Sequence, residues 1–148
     1  MMRAPTALLT VLTASCIAFR CGAAQPGRDG RSGQRAGELS QNVPNPPKPD
    51  TRITFTVGDH PRCGDDREYK VSLRIYNVLA QLYAVPVLQL AGDRGPALDG
   101  VRLKCGEYTA YWNGKQRTGR EDAAPGVYRY SLEIDGRVVA TRTMTVSK

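Results

Sequence analysis

The chain has 148 residues, with 15 Gly, 10 Pro, 4 Cys and a single His, and 21 Lys and Arg against 14 Asp and Glu. That is room for one domain. One His in a Gly- and Pro-rich chain leaves little material for a hydrolase triad, a multi-His metal site or a cofactor-binding α/β fold, so composition argues against an enzyme, a metal site and a cofactor. The basic residues are interspersed with acidic ones, which reads as a mixed solvated surface and argues against nucleic acid as a partner.

Met1-Met2-Arg3 is a short positive start, and residues 4–19 form an apolar run too short and too interrupted for a membrane span. Gly22-Ala23-Ala24 then offers small residues to a signal peptidase cutting before Gln25, so residues 1–24 read as a secretory signal peptide. Export to the periplasm or the extracellular space follows, with no transmembrane segment in the mature form. Leu12-Thr13-Ala14-Ser15-Cys16 resembles a lipobox, and lipid anchoring at Cys16 is the competing reading.

Cleavage at that site removes Cys16 and Cys21 and leaves Cys63 and Cys105 in an oxidising compartment, which suggests one disulfide. Free or intermolecular thiols are the alternative. The spacing fits no zinc pattern.

Residues 25–50 hold almost nothing apolar and read as a flexible Pro- and Gly-rich linker, stiff and extended at residues 42–49. From Thr51 the period becomes two. Ile53, Phe55 and Val57 alternate with Arg52, Thr54 and Thr56, and after a Cys63-bearing loop Tyr69, Val71, Leu73 and Ile75 alternate with Lys70, Ser72 and Arg74. Residues 77–81 are a turn, and residues 82–90 an edge or bulged strand because Pro86 interrupts them. Residues 91–100 read as a loop and residues 101–103 as at most a short strand. Residues 107–112 form an aromatic-rich strand ended by Asn113-Gly114.

In residues 127–134 Tyr128, Tyr130, Leu132 and Ile134 share one face. Asp135-Gly136 calls for a type I′ hairpin into residues 137–146, where Val138, Ala140, Met144 and Val146 share a face on which Arg142 also falls. About seven short strands without an amphipathic helix predict an all-β, antiparallel immunoglobulin-like sandwich over residues 51–148.

Phe55, Leu73, Ile75, Trp112, Tyr128 and Tyr130 are the expected core. Trp112 with Tyr108, Tyr128 and Tyr130 has an alternative as a carbohydrate-stacking surface, but a lone Trp in a small sandwich mostly fills the core. Tyr111 lies on the opposite side of its strand from Trp112 and is the better exposed contact. With Lys115, Arg117 and Arg120 of the following loop it makes the candidate binding surface. His60, Asp65-Asp66 and Asp93 read as solvated loop residues. Glu121-Asp122 have no partner acid or aromatic shelf to make a glycosidase pair.

Leu39-Ser40-Gln41-Asn42-Val43-Pro44-Asn45-Pro46 with Thr51-Arg52-Ile53-Thr54-Phe55 resembles the opening of bacterial type IX secretion sorting tails. Trp112-Asn113-Gly114-Lys115, Thr118-Gly119-Arg120 and Pro125-Gly126-Val127-Tyr128-Arg129-Tyr130 resemble the immunoglobulin-like domain of the flagellar hook-capping protein FlgD family. Leu73-Arg74-Ile75-Tyr76-Asn77-Val78 fits the second strand of both. The resemblance spans residues 39–148. It implies a secreted, non-catalytic module that contacts an envelope or extracellular protein, or a glycan. The alternative it implies is a sorting domain read by an export machine.

Overall fold

The computed structural model describes residues 36–64 and 66–147. The expected signal peptide, Cys16, the first part of the expected linker and Asp65 lie outside the described residues. Ten strands make an all-β antiparallel sandwich: β1 (Gly37–Leu39), β2 (Thr51–Val57), β3 (Glu68–Tyr76), β4 (Leu82–Ala84), β5 (Val87–Leu90), β6 (Asp93–Ala97), β7 (Asp99–Lys104), β8 (Gly106–Trp112), β9 (Gly126–Ile134) and β10 (Arg137–Val146). One sheet runs β1-β2-β8-β5-β6, and the other runs β10-β9-β3-β4 with β7 also paired to β3.

The alternation of the sequence selects the inward faces. Ile53, Phe55 and Val57 of β2 and Ala110 and Trp112 of β8 face Val71, Leu73 and Ile75 of β3 and Tyr128, Tyr130, Leu132 and Ile134 of β9, all buried in one core. Asp135 and Gly136 both have positive φ, 51° and 79°, and join Ile134 to Arg137 as the two-residue hairpin that Asp-Gly favours.

The strand count exceeds the expected seven for physical reasons. Residues 82–90 divide at Pro86 into β4 and β5, which belong to different sheets. The chain crosses back at Leu98, which is fully buried; its amide donates to the Pro86 carbonyl (2.8 Å) and its carbonyl accepts from the Leu73 amide (2.9 Å). The expected loop at residues 91–100 contains β6, an edge strand with Gly95 and Pro96 and no apolar alternation.

Residues 36–50, read from composition as linker, lie along the sandwich instead. β1 pairs with β2, Leu39 is buried, and the Val43 and Arg52 amides and carbonyls exchange two hydrogen bonds of 2.8 Å. The segment supplies little apolar surface, but β2 and the second sheet satisfy its backbone. In β10 a bulge between Val138 and Ala140 turns Val138 outward, 61% exposed, and Arg142 leaves the core face by donating from Nε to the Leu39 carbonyl.

Candidate functional site

Tyr111 sits on the outer face of β8, directly opposite Arg52 of β2 and Val87 of β5. The β5–β6 hairpin sets Arg94 across from Gln89, and the Arg94 guanidinium carbon lies 4.7 Å from the centre of the Tyr111 ring. Arg94 Nη2 also donates to the Tyr111 hydroxyl at 3.4 Å, and Arg52 Nε donates to Gln89 Oε1 at 3.2 Å. Burial raises the Tyr111 hydroxyl pKa above its usual value, as does the neighbouring Asp50 carboxylate, while Arg94 and Arg52 oppose the rise. The phenol therefore stays protonated at neutral pH, a donor and an acceptor between two guanidinium groups.

This pair divides two concavities. One, of about 310 Å³, reaches from Tyr111 and Arg94 past Ala84 and Trp112 to Lys115 and Arg117. The other, of about 650 Å³, continues from the same two residues across Arg52, Gln89 and Asp93 to Asp50. Three of the four candidate contact residues, Tyr111, Lys115 and Arg117, line the first cleft. Arg120 does not; it lies on the exposed tip of the turn closed by the Gln116 amide to the Glu121 carbonyl at 2.9 Å.

The floor of the cleft is tied to the core. Trp112 is 3% exposed and its Nε1 donates to the Lys115 carbonyl at 2.8 Å, so the core indole also holds the first residue of the loop. Gly114, at φ 73°, packs so closely on the Pro49 carbonyl that a side chain there would collide with it. Tyr128 lies between Trp112 and Tyr83, with ring centres 6.1 and 4.9 Å away, and burial pushes the Tyr83 hydroxyl up to about 12.

Phe55, Leu73, Ile75, Trp112, Tyr128 and Tyr130 all lie in the core. Cys63 and Cys105 form a disulfide between the β2–β3 loop and the β7–β8 turn. His60 is exposed. Asp66 pairs with Lys104 at 3.0 Å, and Asp122 with Lys115 at 3.8 Å. Asp93 lies in β6, where it lines the larger concavity. Sequence reasoning did not find Arg52 and Arg94: each is an unremarkable polar position of its strand, and only the register brings them to Tyr111.

No family model matches the chain, and no curated protein matches it. Among solved structures it is similar to Pseudomonas fluorescens alkylpurine DNA glycosylase AlkC bound to DNA containing an abasic site analog, at 8% identity and a TM-score of 0.43. The match covers 78% of this chain, which spans 31% of the length of that one. The expectation that the chain is not an enzyme is corrected here. At this similarity the match carries no argument about activity in either direction, and absence of catalysis is not a property this chain can be assigned.

Proposed function

We propose that the chain is an exported immunoglobulin-like module of the type found in the flagellar hook-capping family, and that it binds a protein of the cell envelope or the extracellular space through the Tyr111 cleft. The observation that carries this reading is the convergence of Arg52 and Arg94 on Tyr111, with neither arginine in an ion pair among the described residues. Two guanidinium forks with free donors beside a protonated phenol suit carboxylate side chains of a partner. Arg94 covers one face of the Tyr111 ring, which favours a protein over a sugar ring stacked flat on the tyrosine; a glycan is the second ligand class. The Cys63–Cys105 disulfide suits an oxidising compartment. Among the described residues no helix is long and apolar enough to cross a membrane.

The test is a photo-reactive phenylalanine at position 111, crosslinked in the native envelope and compared with the same group at Thr141 on the opposite sheet. A discrete adduct from position 111 that weakens in R52A/R94A supports the cleft. Equal labelling from both positions overturns it.

A further inference from the structure

The β3–β4 turn displays apolar side chains that no core requires. Val78 and Leu79 are 78% and 73% exposed, and Leu82 and Val127 are also among the exposed large hydrophobic residues. These four lie at one end of the second sheet, because Tyr76 pairs with Leu82 on one side and with Arg129 on the other. Single exposed aliphatic residues are ordinary on protein surfaces, whereas four gathered at one end of a sheet, two of them almost wholly out in solvent, mark a candidate contact surface.

The turn is built rather than loose. Asn77 Oδ1 accepts from the Leu79 and Gln81 amides, both at 3.0 Å, and the Asn77 and Ala80 amides donate to the Gln81 and Asn77 carbonyls at 3.1 and 3.0 Å. The amides of Asn77, Leu79, Ala80 and Gln81 thus have partners inside the turn, so these four enter an apolar medium without being stripped of water. A cationic collar stands behind it. The Arg117 amide donates to the Tyr83 carbonyl at 2.9 Å, which sets the loop carrying Arg117 and Arg120 beside β4, and Arg129 lies over the Tyr76 ring. None of the three arginines is in an ion pair among the described residues. Of the acids in that loop, Asp122 faces Lys115 at 3.8 Å and Glu121 stands against the three.

We propose that this turn is a membrane-docking tip: Val78 and Leu79 enter the boundary between headgroups and acyl chains of an anionic bilayer, with Arg117, Arg120 and Arg129 at the level of the lipid phosphates. Aliphatic side chains ahead of a ring of cations, with an aromatic residue at the junction, match the layering of a bilayer surface. The surface meets the Tyr111 cleft at Arg117, which lines both, whereas Val78, Leu79, Arg120 and Arg129 lie outside the lining of that cleft.

The test is sedimentation of the purified chain with vesicles of phosphatidylcholine alone or mixed with phosphatidylglycerol. The chain sediments with the anionic vesicles, more weakly as salt is added, and V78S/L79S lowers the retained fraction about tenfold or more. Both side chains are exposed, so the variant keeps the wild-type melting temperature. If it does not, Leu79→Trp replaces it: brominated lipid quenches an indole at the tip and spares Trp112. No sedimentation with anionic vesicles overturns the proposal, as does retention unchanged in V78S/L79S or an unquenched indole at position 79. A turn fitted to a protein pocket gives the first of those results.

Discussion

The Tyr130 hydroxyl accepts the Asn42 amide proton at 3.0 Å and donates its own to the Ser40 carbonyl at 3.0 Å. One phenol of the central β9 strand thereby holds two backbone groups of the N-terminal segment across 88 and 90 residues of chain. The Asn42 side chain is fully engaged as well, bonding to the Pro44 carbonyl, Thr51 Oγ1 and Gln41 Nε2. Tyr130→Phe leaves a buried amide unpaired while keeping the ring volume. We expect it to lose about 1–3 kcal/mol of stability in urea unfolding, with faster amide exchange concentrated in residues 40–43.

Trp112 joins the core to the cleft. Its indole packs beside Tyr128 and its Nε1 holds the Lys115 carbonyl. Trp112→Ala removes both, and a loss of about 3–5 kcal/mol is expected, comparable to the whole stability of a small domain. Trp112→Phe keeps most of the packing and releases the loop. Its cost should be smaller, and a crosslink at position 111 should broaden over more sites.

Tyr83 is expected to contribute to the loss of stability at alkaline pH, beside Tyr111 and Tyr130, whose hydroxyl pKa values burial also raises. The folded pKa of Tyr83 is pushed up to about 12 from an ordinary 10 by burial, with Tyr128 adding to the rise. The unfolded chain therefore releases this proton first as pH rises. The contribution is complete below pH 10 and is lost between pH 10 and about 12. Melting temperature should fall through that window, and Tyr83→Phe should make the fall shallower. An equal slope in both proteins would show that other groups govern it.

Much of the fold is legible in the sequence, and the reason is visible in β3 and β9. Their apolar residues repeat every second position, and Asp135-Gly136 supplies the two positive φ values a tight hairpin needs. β6 was not legible, because a strand with Gly95 and Pro96 at a sheet edge buries none of its side chains fully and leaves no periodic trace. The candidate site divides in the same way. Tyr111 follows from alternation with Trp112, whereas Arg52 reaches it through the β2–β8 register and Arg94, carried on the local β5–β6 hairpin, through the β5–β8 register; both registers are long-range pairings that local pattern does not encode.

The disulfide closes a sequence separation of 42 residues and ties the β2–β3 loop to the β7–β8 turn. In chain-entropy terms such a loop is worth on the order of 3–4 kcal/mol, acting on the unfolded state. We expect C63S/C105S to melt lower while keeping the wild-type β-sheet signal in circular dichroism at room temperature. Gly58 packs against Cys105, so local changes should be confined to that end of the sandwich.

The N-terminal segment gives the prediction that bears most directly on where the domain begins. Leu39 is buried in the core, its carbonyl takes the Arg142 Nε–H, Gln41 Nε2 donates to the Thr143 carbonyl at 2.9 Å, and the Gly58 amide reaches back to the Ala36 carbonyl at 2.9 Å. A chain that starts at Thr51 loses all of these and exposes the β2 edge and the cavity left by Leu39. A chain that starts at Ser32 keeps them. The shorter chain should be less stable than the longer by about 3–5 kcal/mol in urea unfolding, the sum of one buried leucine and several hydrogen bonds. The bare β2 edge should also make the shorter chain self-associate as its concentration rises. Equal unfolding midpoints for the two chains would restore the reading of residues 36–50 as a linker.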